Sequence, residues 1–502
     1  MTELTVLPAT GTALPATPFC ARHWIAGTWQ DSADGATLER RSPAHDVVVS
    51  VAAKGGKAET DAAIAAAHGA FEDWRFTSGK DRAAILLKVA DLIDRDREAL
   101  ALMETLESGK PIAQARGEIE GAADIWRFAA SLARTQAGDS HNSLGPDFLG
   151  VVLKEPVGVV SIICPWNFPL LIVSQKLPFA LAAGCTAVVK PSELTPSTTV
   201  MLGALLQEAG LPAGVVNIVL GLGDPVGTTM TTDPRVAMIS FTGSTGVGQA
   251  IAREAGARLK KVSLELGGKN PQVIFPDADL DAVADAIAFG VYFNAGECCN
   301  SSSRVIVHKD VAEALTEKVV ALSRKVAFGD PLNEATKVGA IVSADHQMKI
   351  DTYVREAAAA GATIALGGAA LPVDGMDGQF YQPTVITGVT PSMTIANEEV
   401  FGPVLSMLTF DTLDEAVELV NGAAYGLSAG VWSADMHTCL AFARRVEAGT
   451  VWTNTWMDGF SEMPFGGVKA SGLGRELGRY GLEEFLDTKT LTMRIGARPA
   501  WV

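Results

Sequence analysis

Between residues 157 and 265 short β-branched runs alternate with helical stretches, and this alternation constrains the fold more than any other feature of the chain. The run 157–163 breaks at Pro165, the run 185–189 ends at Lys190-Pro191, and the run 215–220 gives way to the glycine-rich turn 221–227. Two further strands, 237–241 and 261–265, follow. Helical spacing fills the gaps at 174–183, 197–210 and 246–257. Strands of this length separated by helices predict βαβ units and a parallel, doubly wound sheet. A second α/β set begins after Pro271, with helices at 280–293 and 311–326 and strands at 304–307 and 404–410. The region 57–138 is helical, with alanine-rich amphipathic runs at 60–71 and 81–94, and a strand-like segment, 489–495, lies beyond the last helix. A chain of 502 residues predicts two or three domains, and 48% hydrophobic content provides for their cores. No fixed-period repeat is present, which excludes solenoids and propellers.

The net charge of −17 argues against nucleic acid or an anionic membrane as partner, while leaving room for a local basic pocket. The longest apolar uncharged stretch, 157–175, is interrupted by Pro165, Asn167 and Pro169 and makes a poor membrane span. Residues 1–19, rich in Thr, Ala and Pro, have neither a basic start nor a continuous apolar run, and read as a loose tail rather than a signal peptide. Six cysteines without a CxxC pair predict no disulfide framework and a reducing, cytoplasmic setting. Seven histidines without an HExxH pattern predict no structural zinc.

Two segments have the look of nucleotide-binding turns. The turn from Gly221 to Gly227, containing Gly223, is one residue too long for GxGxxG, and a plain tight turn explains it equally well. The segment Phe241-Thr242-Gly243-Ser244-Thr245-Gly246-Val247-Gly248 lies between a strand and a helix. Small residues there let helix N-terminal N–H groups approach an anion, with Ser244 adding a hydroxyl; an N-cap by Ser244 or Thr245 is the alternative. Lys190-Pro191-Ser192-Glu193 closes a strand at the carboxyl edge of the sheet, where open α/β folds bind ligands. The lysine can donate to ribose hydroxyls and the glutamate accept from them, but alone the pair reads as solvated charge.

Three segments carry chemistry. In Asn294-Ala295-Gly296-Glu297-Cys298-Cys299-Asn300 a cysteine in a small-residue turn can be a nucleophile; an inert buried thiol is the alternative. No histidine is close in sequence to activate it, which speaks against a cysteine protease. Glu265 stands at the end of an apolar strand before Gly267-Gly268, where desolvation would tune it toward a general base; a strand-end glutamate in water is the alternative. In Pro165-Trp166-Asn167-Phe168-Pro169 two prolines fix a backbone from which the Asn167 amide can meet an oxyanion; a rigid turn with a buried Trp is the alternative.

The order and spacing of these segments, with Glu398–Val404 (EEVFGPV) and Pro464–Glu476 (PFGGVKASGLGRE), resemble the aldehyde dehydrogenase superfamily, in its hydrolytic NAD(P)-dependent branch. The resemblance runs from 24–27 to the C-terminal strand. It implies an α/β fold in three parts: a Rossmann-type dinucleotide-binding domain (20–134 and 157–265), an α/β catalytic domain (266–477) and a small β oligomerisation element (135–156 and 478–502). It implies Cys299 as nucleophile, Asn167 and the Cys299 backbone N–H as the oxyanion hole, Glu265 as the base for thioester hydrolysis, and Glu476 as an acidic residue supporting that base.

For the cofactor the same resemblance implies Lys190 and Glu193 at the adenosine ribose, Ser244 with its glycine loop at the pyrophosphate, and Glu399 and Phe401 at the nicotinamide ribose and ring. It implies Ile163, Pro165, Trp166, Ser192, Gly223, Gly227, Phe241, Thr242, Gly243, Val247, Leu266 and Gly267 as further cofactor contacts. Glu193 would repel a 2′-phosphate, which favours NAD over NADP. The partner is a small aldehyde, and a homodimer or homotetramer would cover the edge of strand 489–495. There are departures: Asn300-Ser301-Ser302-Ser303-Arg304 lacks a glycine usual before the last serine, and Gln175 and Gly459 replace aromatic residues of some relatives. Trp456, Asp458, Phe460 and Glu462 are expected at the entrance, the acidic pair favouring a hydroxylated or cationic aldehyde. A CoA-acylating semialdehyde enzyme and a non-enzymatic protein on the same fold are the other readings. The retained Glu265 speaks against the first, and the intact set of Cys299, Glu265 and Asn167 against the second.

Overall fold

The computed structural model describes residues 4–502. The first sheet has eight strands, of which five are parallel, in the spatial order Lys261–Glu265, Val236–Thr242, Val159–Ile163, Thr186–Lys190 and Val216–Ile218. The antiparallel strand Gly472–Leu473 extends one side and the hairpin His23–Ile25/Thr28–Gln30 the other. The chain starts this parallel set at Val159–Ile163, builds outward in one direction, then returns to the other side with Val236–Thr242. The reversal leaves a crevice at the carboxyl ends of those two neighbouring strands, the place where open α/β sheets bind ligands. Register puts Ile163 opposite both Lys190 and Phe241, and Thr242 opposite Glu265, so four segments singled out by sequence end in one row.

A second sheet of seven strands is parallel throughout except for Thr363–Leu366 at its edge, and is centred on Arg304–His308 between Pro271–Ile274 and Val404–Phe410. A third, antiparallel sheet pairs Leu486–Arg494 with Phe148–Pro156 over nine residues and adds Asp139–His141 on the far side. The outer edge of Leu486–Arg494 has no partner strand among the described residues.

Packing explains the central helix. Pro169–Ala183 carries proline at its first position, where no intrahelical N–H is needed, and ends at Gly184 with φ of 100°. It is buried on nearly every side, against the helix Ile112–Thr135, with the Trp126 indole donating to Ser174 Oγ at 3.0 Å.

The N-terminal segment is not the loose tail its composition predicts. Val6–Leu7 pairs in parallel with Phe328–Gly329, and the Thr10 backbone N–H and hydroxyl both donate to Asp330 Oδ2 at 2.7 Å. Backbone pairing needs no apolar run, so composition missed it; residues 1–3 lie outside the described residues. The turn 221–227 also differs: its backbone is extended at Asp224, with φ of −114° and ψ of 130°, and beyond it the chain winds into the helix Thr228–Thr232. Among the described residues no helix is long and apolar enough to cross a membrane.

Candidate active site

Cys299 is where two cavities meet. The larger, about 530 Å³, is walled by Phe168, Leu171, Phe293, Trp452, Phe460 and Phe465, with Glu265 and Glu476 at its inner end. The smaller, about 240 Å³, holds Asn167, Thr242, Ser244, Gly267, Glu399 and Phe401, and Cys299 lines both.

The turn that presents the cysteine is strained. Asn294, Ala295 and Gly296 follow one another at φ of 50°, 56° and 74°. Non-glycine residues in this region cost on the order of 1 kcal/mol or more each and persist only where their surroundings hold them. A Cβ on Gly296 would collide with the Gly402 carbonyl, so only glycine fits there. Asn294 is held by its amide, which donates to the carbonyls of Asn167 at 3.1 Å and Glu297 at 2.9 Å. Asn167 Nδ2 donates to the same Glu297 carbonyl at 3.1 Å, and Asn270 Nδ2 holds the Cys299 carbonyl at 2.6 Å. The Asn167 turn and the cysteine turn are therefore tied together. The serine run that departs from the family pattern is anchored separately, Asn300 Oδ1 accepting from Ser428 Oγ at 2.7 Å.

The Cys299 thiol is held well above its ordinary pKa by its hydrogen bond with Cys298 and by burial, with the carboxyls of Glu399 and Glu265 adding to the rise. Glu265 is 4% exposed and neither carboxyl oxygen has a hydrogen-bond partner. Burial, reinforced by Glu476, pushes its carboxyl well above the usual range, as its place at the end of an apolar strand predicts. Glu476 pairs with Lys176, which is fully buried in the helix Pro169–Ala183. Sequence reasoning missed Lys176, although a lysine inside so apolar a helix was a visible signal.

The smaller cavity gathers Pro165, Trp166, Thr242, Gly243, Ser244, Leu266, Gly267, Glu399 and Phe401 from the expected cofactor set, together with Asn167. Ser244 is the N-cap residue of the helix Thr245–Ala257, yet its side chain makes no capping bond, so the capping alternative does not hold for it. The Thr242 hydroxyl is buried without a partner. Glu399 Oε1 accepts from Gly268 N–H at 3.0 Å, and a Cβ on Gly267 would strike its other oxygen; burial pushes this carboxyl up to about 7. Phe401, at φ of 59°, stands edge-on to Trp166 with ring centroids 5.4 Å apart. His346 and Lys349, missed in the sequence, complete this wall, with His346 Nε2 2.7 Å from the Phe401 carbonyl.

Eight expected cofactor residues lie outside this lining: Ile163, Lys190, Ser192, Glu193, Gly223, Gly227, Phe241 and Val247. Ile163, Lys190 and Phe241 are strand-end neighbours in register beside it. Lys190 is not the solvated charge it resembles in isolation: it is 4% exposed, 3.8 Å from partly exposed Glu193, and burial lowers its pKa. Ser192 Oγ accepts from Leu194 N–H at 3.2 Å. Positions that a Cβ would take at Gly223 and Gly227 have no atom within 4 Å, and Val247 is exposed on the next helix.

Of the four residues expected at the entrance of the larger cavity, Phe460 and Glu462 line it, with Gln175 and Gly459. Trp456 and Asp458 do not. Trp456 is buried behind Trp452, their rings 4.9 Å apart, and the Asp458 carboxylate turns back to Thr455. Two other carboxylates, Glu118 and Asp124, come instead from the helix Ile112–Thr135; Asp124 accepts from Ser461 Oγ at 2.6 Å.

Comparison with known proteins gives the family. The model of the aldehyde dehydrogenase family matches residues 29–491, and the chain belongs to that family. It is 39% identical over 470 residues to betaine aldehyde dehydrogenase of Bacillus subtilis, covering 93% of this chain and 96% of that one. It is likewise 39% identical over 484 residues to peroxisomal aminoaldehyde dehydrogenase 1 of Pisum sativum, covering 95% and 96%. Among solved structures, an NAD-dependent aldehyde dehydrogenase from Sinorhizobium meliloti superposes with a TM-score of 0.96 at 49% identity, covering 99% of each chain. The betaine aldehyde dehydrogenase of Staphylococcus aureus, in complex with NAD+, gives 0.94 at 38% identity over 96% of each chain.

Proposed function

We propose that this chain is an NAD-dependent aldehyde dehydrogenase that oxidises a polar aldehyde to its acid through a thioester on Cys299. The observation that carries this reading is the sharing of Cys299 by two cavities, one holding Glu265 and the other Asn167.

The smaller cavity fits a dinucleotide on its own chemistry. An uncapped Ser244 at a helix N-terminus and an unpartnered Thr242 hydroxyl suit a pyrophosphate, and outside that lining a buried Lys190 beside Glu193 suits a ribose diol. Bound there, NAD supplies the hydride acceptor. Glu399 and Phe401 would hold its reactive end, and Glu193 disfavours the extra phosphate of NADP by like charge.

The Cys299 thiolate adds to the aldehyde carbon, and the oxyanion that forms is met by the Asn167 amide and the Cys299 backbone N–H. After loss of hydride the acyl group remains as a thioester. Glu265 takes a proton from water, the resulting hydroxide equivalent attacks the thioester, and the carboxylic acid leaves with Cys299 restored. Glu476, paired with buried Lys176, stands close enough to Glu265 for its charge to help raise the pKa of the base. Removing one oxyanion donor typically costs about 10²–10³ in turnover. Asn167→Ala is therefore expected to lower kcat by about that factor while the thermal melt stays near wild type; an unchanged kcat would remove Asn167 from this role.

The walls of the larger cavity support a cationic or hydroxylated aldehyde. Asp124 and Glu462 bring negative charge to a chamber otherwise faced by Phe168, Trp452, Phe460 and Phe465, whose rings attract cations. The named activities of the B. subtilis and P. sativum relatives lie in the same class. Absorbance of reduced cofactor over a panel of alkyl, aryl, hydroxy-, amino- and trimethylammonio-aldehydes tests this. The expected result is highest kcat/KM with NAD and an amino- or ammonio-aldehyde; best turnover with a long alkyl aldehyde, or equal efficiency with NADP, would overturn those two assignments.

The division into 20–134 with 157–265, 266–477, and 135–156 with 478–502 remains our proposal, although Gly472–Leu473 adds a strand of the second segment to the first sheet. The free edge of Leu486–Arg494 supports a homodimer or homotetramer, since unpaired strand edges are rarely left exposed. Six unpaired cysteines support a reducing, cytoplasmic location.

A further inference from the structure

Lys110 lies outside the machinery described above, yet its ammonium reaches the residue on which the oxyanion hole depends. Its side chain is fully buried at the start of the helix Ile112–Thr135. The Nζ donates to the Asn167 carbonyl at 2.8 Å, pairs with the Glu118 carboxylate, and stands 3.5 Å from Glu104 Oε2. It also sits 4.6 Å from the centre of the Phe168 ring. A buried ammonium is costly unless paired and fully hydrogen-bonded, and here two carboxylates, one carbonyl and one aromatic face surround it.

Each partner holds the same turn. Glu104 Oε1 accepts from Leu170 N–H at 2.8 Å, so it grips the first turn of the helix that follows Asn167. Glu118 is steadied by Gln114 Nε2 at 2.7 Å, and Gln114 Oε1 accepts from Asn294 N–H at 3.1 Å. Asn294 in turn supplies the second donor to the Asn167 carbonyl, at 3.1 Å. Both lone pairs of that carbonyl are thereby used, one by a charged donor and one by a residue of the nucleophile turn. Charge-assisted bonds of this kind are shorter and roughly twice as strong as neutral ones. With its carbonyl fixed from two directions, the Asn167 backbone has little freedom to rotate, and the direction of its amide is fixed with it.

We infer that Lys110 is a positioning residue for the oxyanion donor, acting through the Asn167 backbone carbonyl. This rests on the reading of Asn167 as that donor. Lys110 touches no reacting atom; it sets where the amide points. Because Glu118 also lines the larger cavity, the grip on Asn167 is continuous with the wall that meets the aldehyde.

A double-mutant cycle tests the inference with the full-length protein, NAD and the best aldehyde of the panel. The variants are Lys110→Met, Asn167→Ala and the two combined. The same cycle is run in a Glu118→Gln background, where Lys110→Met leaves one buried carboxylate fewer; this set carries the test if Lys110→Met alone melts early. Misplacing a catalytic group by about 1 Å can cost about 100-fold. Lys110→Met is expected to lower kcat by about 10–100-fold, and in the double variant kcat is expected to equal that of Asn167→Ala alone, because the lysine then has nothing left to aim. A merely structural role makes the two losses multiply. Multiplying losses, or wild-type kcat in Lys110→Met beside a slow Asn167→Ala, would overturn the inference and leave the oxyanion reading standing. Wild-type kcat in Asn167→Ala would overturn both.

Discussion

Replacing Cys299 with alanine is expected to abolish aldehyde-dependent formation of reduced cofactor, by a factor of at least about 10⁴. The size follows from the proposed order of events, since no hydride can leave before the sulfur has made the aldehyde carbon tetrahedral. Neither Asn167 nor Glu265 supplies a substitute nucleophile on the cavity floor. Cys298 sits next in the chain but is 5% exposed and faces the larger cavity only, so it does not inherit the role. The substitution removes one sulfur from a half-buried position, and the thermal melt is expected to move by only a few degrees. Absorbance measures the loss, and mass spectrometry of the quenched wild-type enzyme should find the acyl group on the peptide that contains residue 299. Full turnover in the alanine variant would end the thioester mechanism altogether.

The second large effect is expected at Glu265. Glu265→Gln keeps the size of the side chain and removes the base, so acylation should proceed and hydrolysis should stall. The kinetic form is one burst of reduced cofactor per active site, followed by a steady rate lower by about 10²–10⁴. The pH dependence has a definite sign. Glu265 works deprotonated, and burial with the charge of Glu476 raises its pKa well above the ordinary carboxylate range. Cys299 also works deprotonated and is also raised. Wild-type turnover should therefore climb with pH through neutrality and beyond the range of an exposed carboxylate. In the Gln variant the hydrolytic part of that climb should vanish, while the burst still follows the cysteine. A steady rate equal to wild type at every pH would remove Glu265 as the base; loss of the burst as well would assign it to the thiol proton instead of water.

Much of this was legible before any coordinates. Strands Lys261–Glu265 and Val404–Phe410 fall on the residues expected of them, and the second is the largely apolar segment that a buried parallel strand writes. Glu265 was legible for the related reason that a carboxylate closing such a strand has nowhere wet to go. The helices Ala344–Ala359, Leu413–Asn421 and Met436–Ala443 were not read, and the first of these is polar enough that its apolar stripe is narrow. The pairing of Val6–Leu7 could not be read, since its partner lies more than 300 residues away. Lys110 and Lys176 were missed because a lysine's meaning is set by what surrounds its Nζ, and those neighbours come from other helices and turns. At the entrance, Asp458 was expected and Asp124 was not; a loop residue can point either way, whereas the helix turn between Gly121 and Ile125 commits its side chain to the cavity.

The atoms that react are held chiefly by backbone. The Asn167 carbonyl is clamped twice, Gly296 abuts Gly402, and the Cys299 carbonyl is tied to Asn270. The walls that meet the aldehyde hang on side chains such as Asp124, Gln175 and Phe460, which those clamps do not use. Glu118 and Phe168 apart, which serve both the clamp and the wall, chemistry and taste are thus written on separate parts of the chain. Such a protein can change its diet by ordinary drift at its entrance, one residue at a time, without passing through a generation that has lost the reaction.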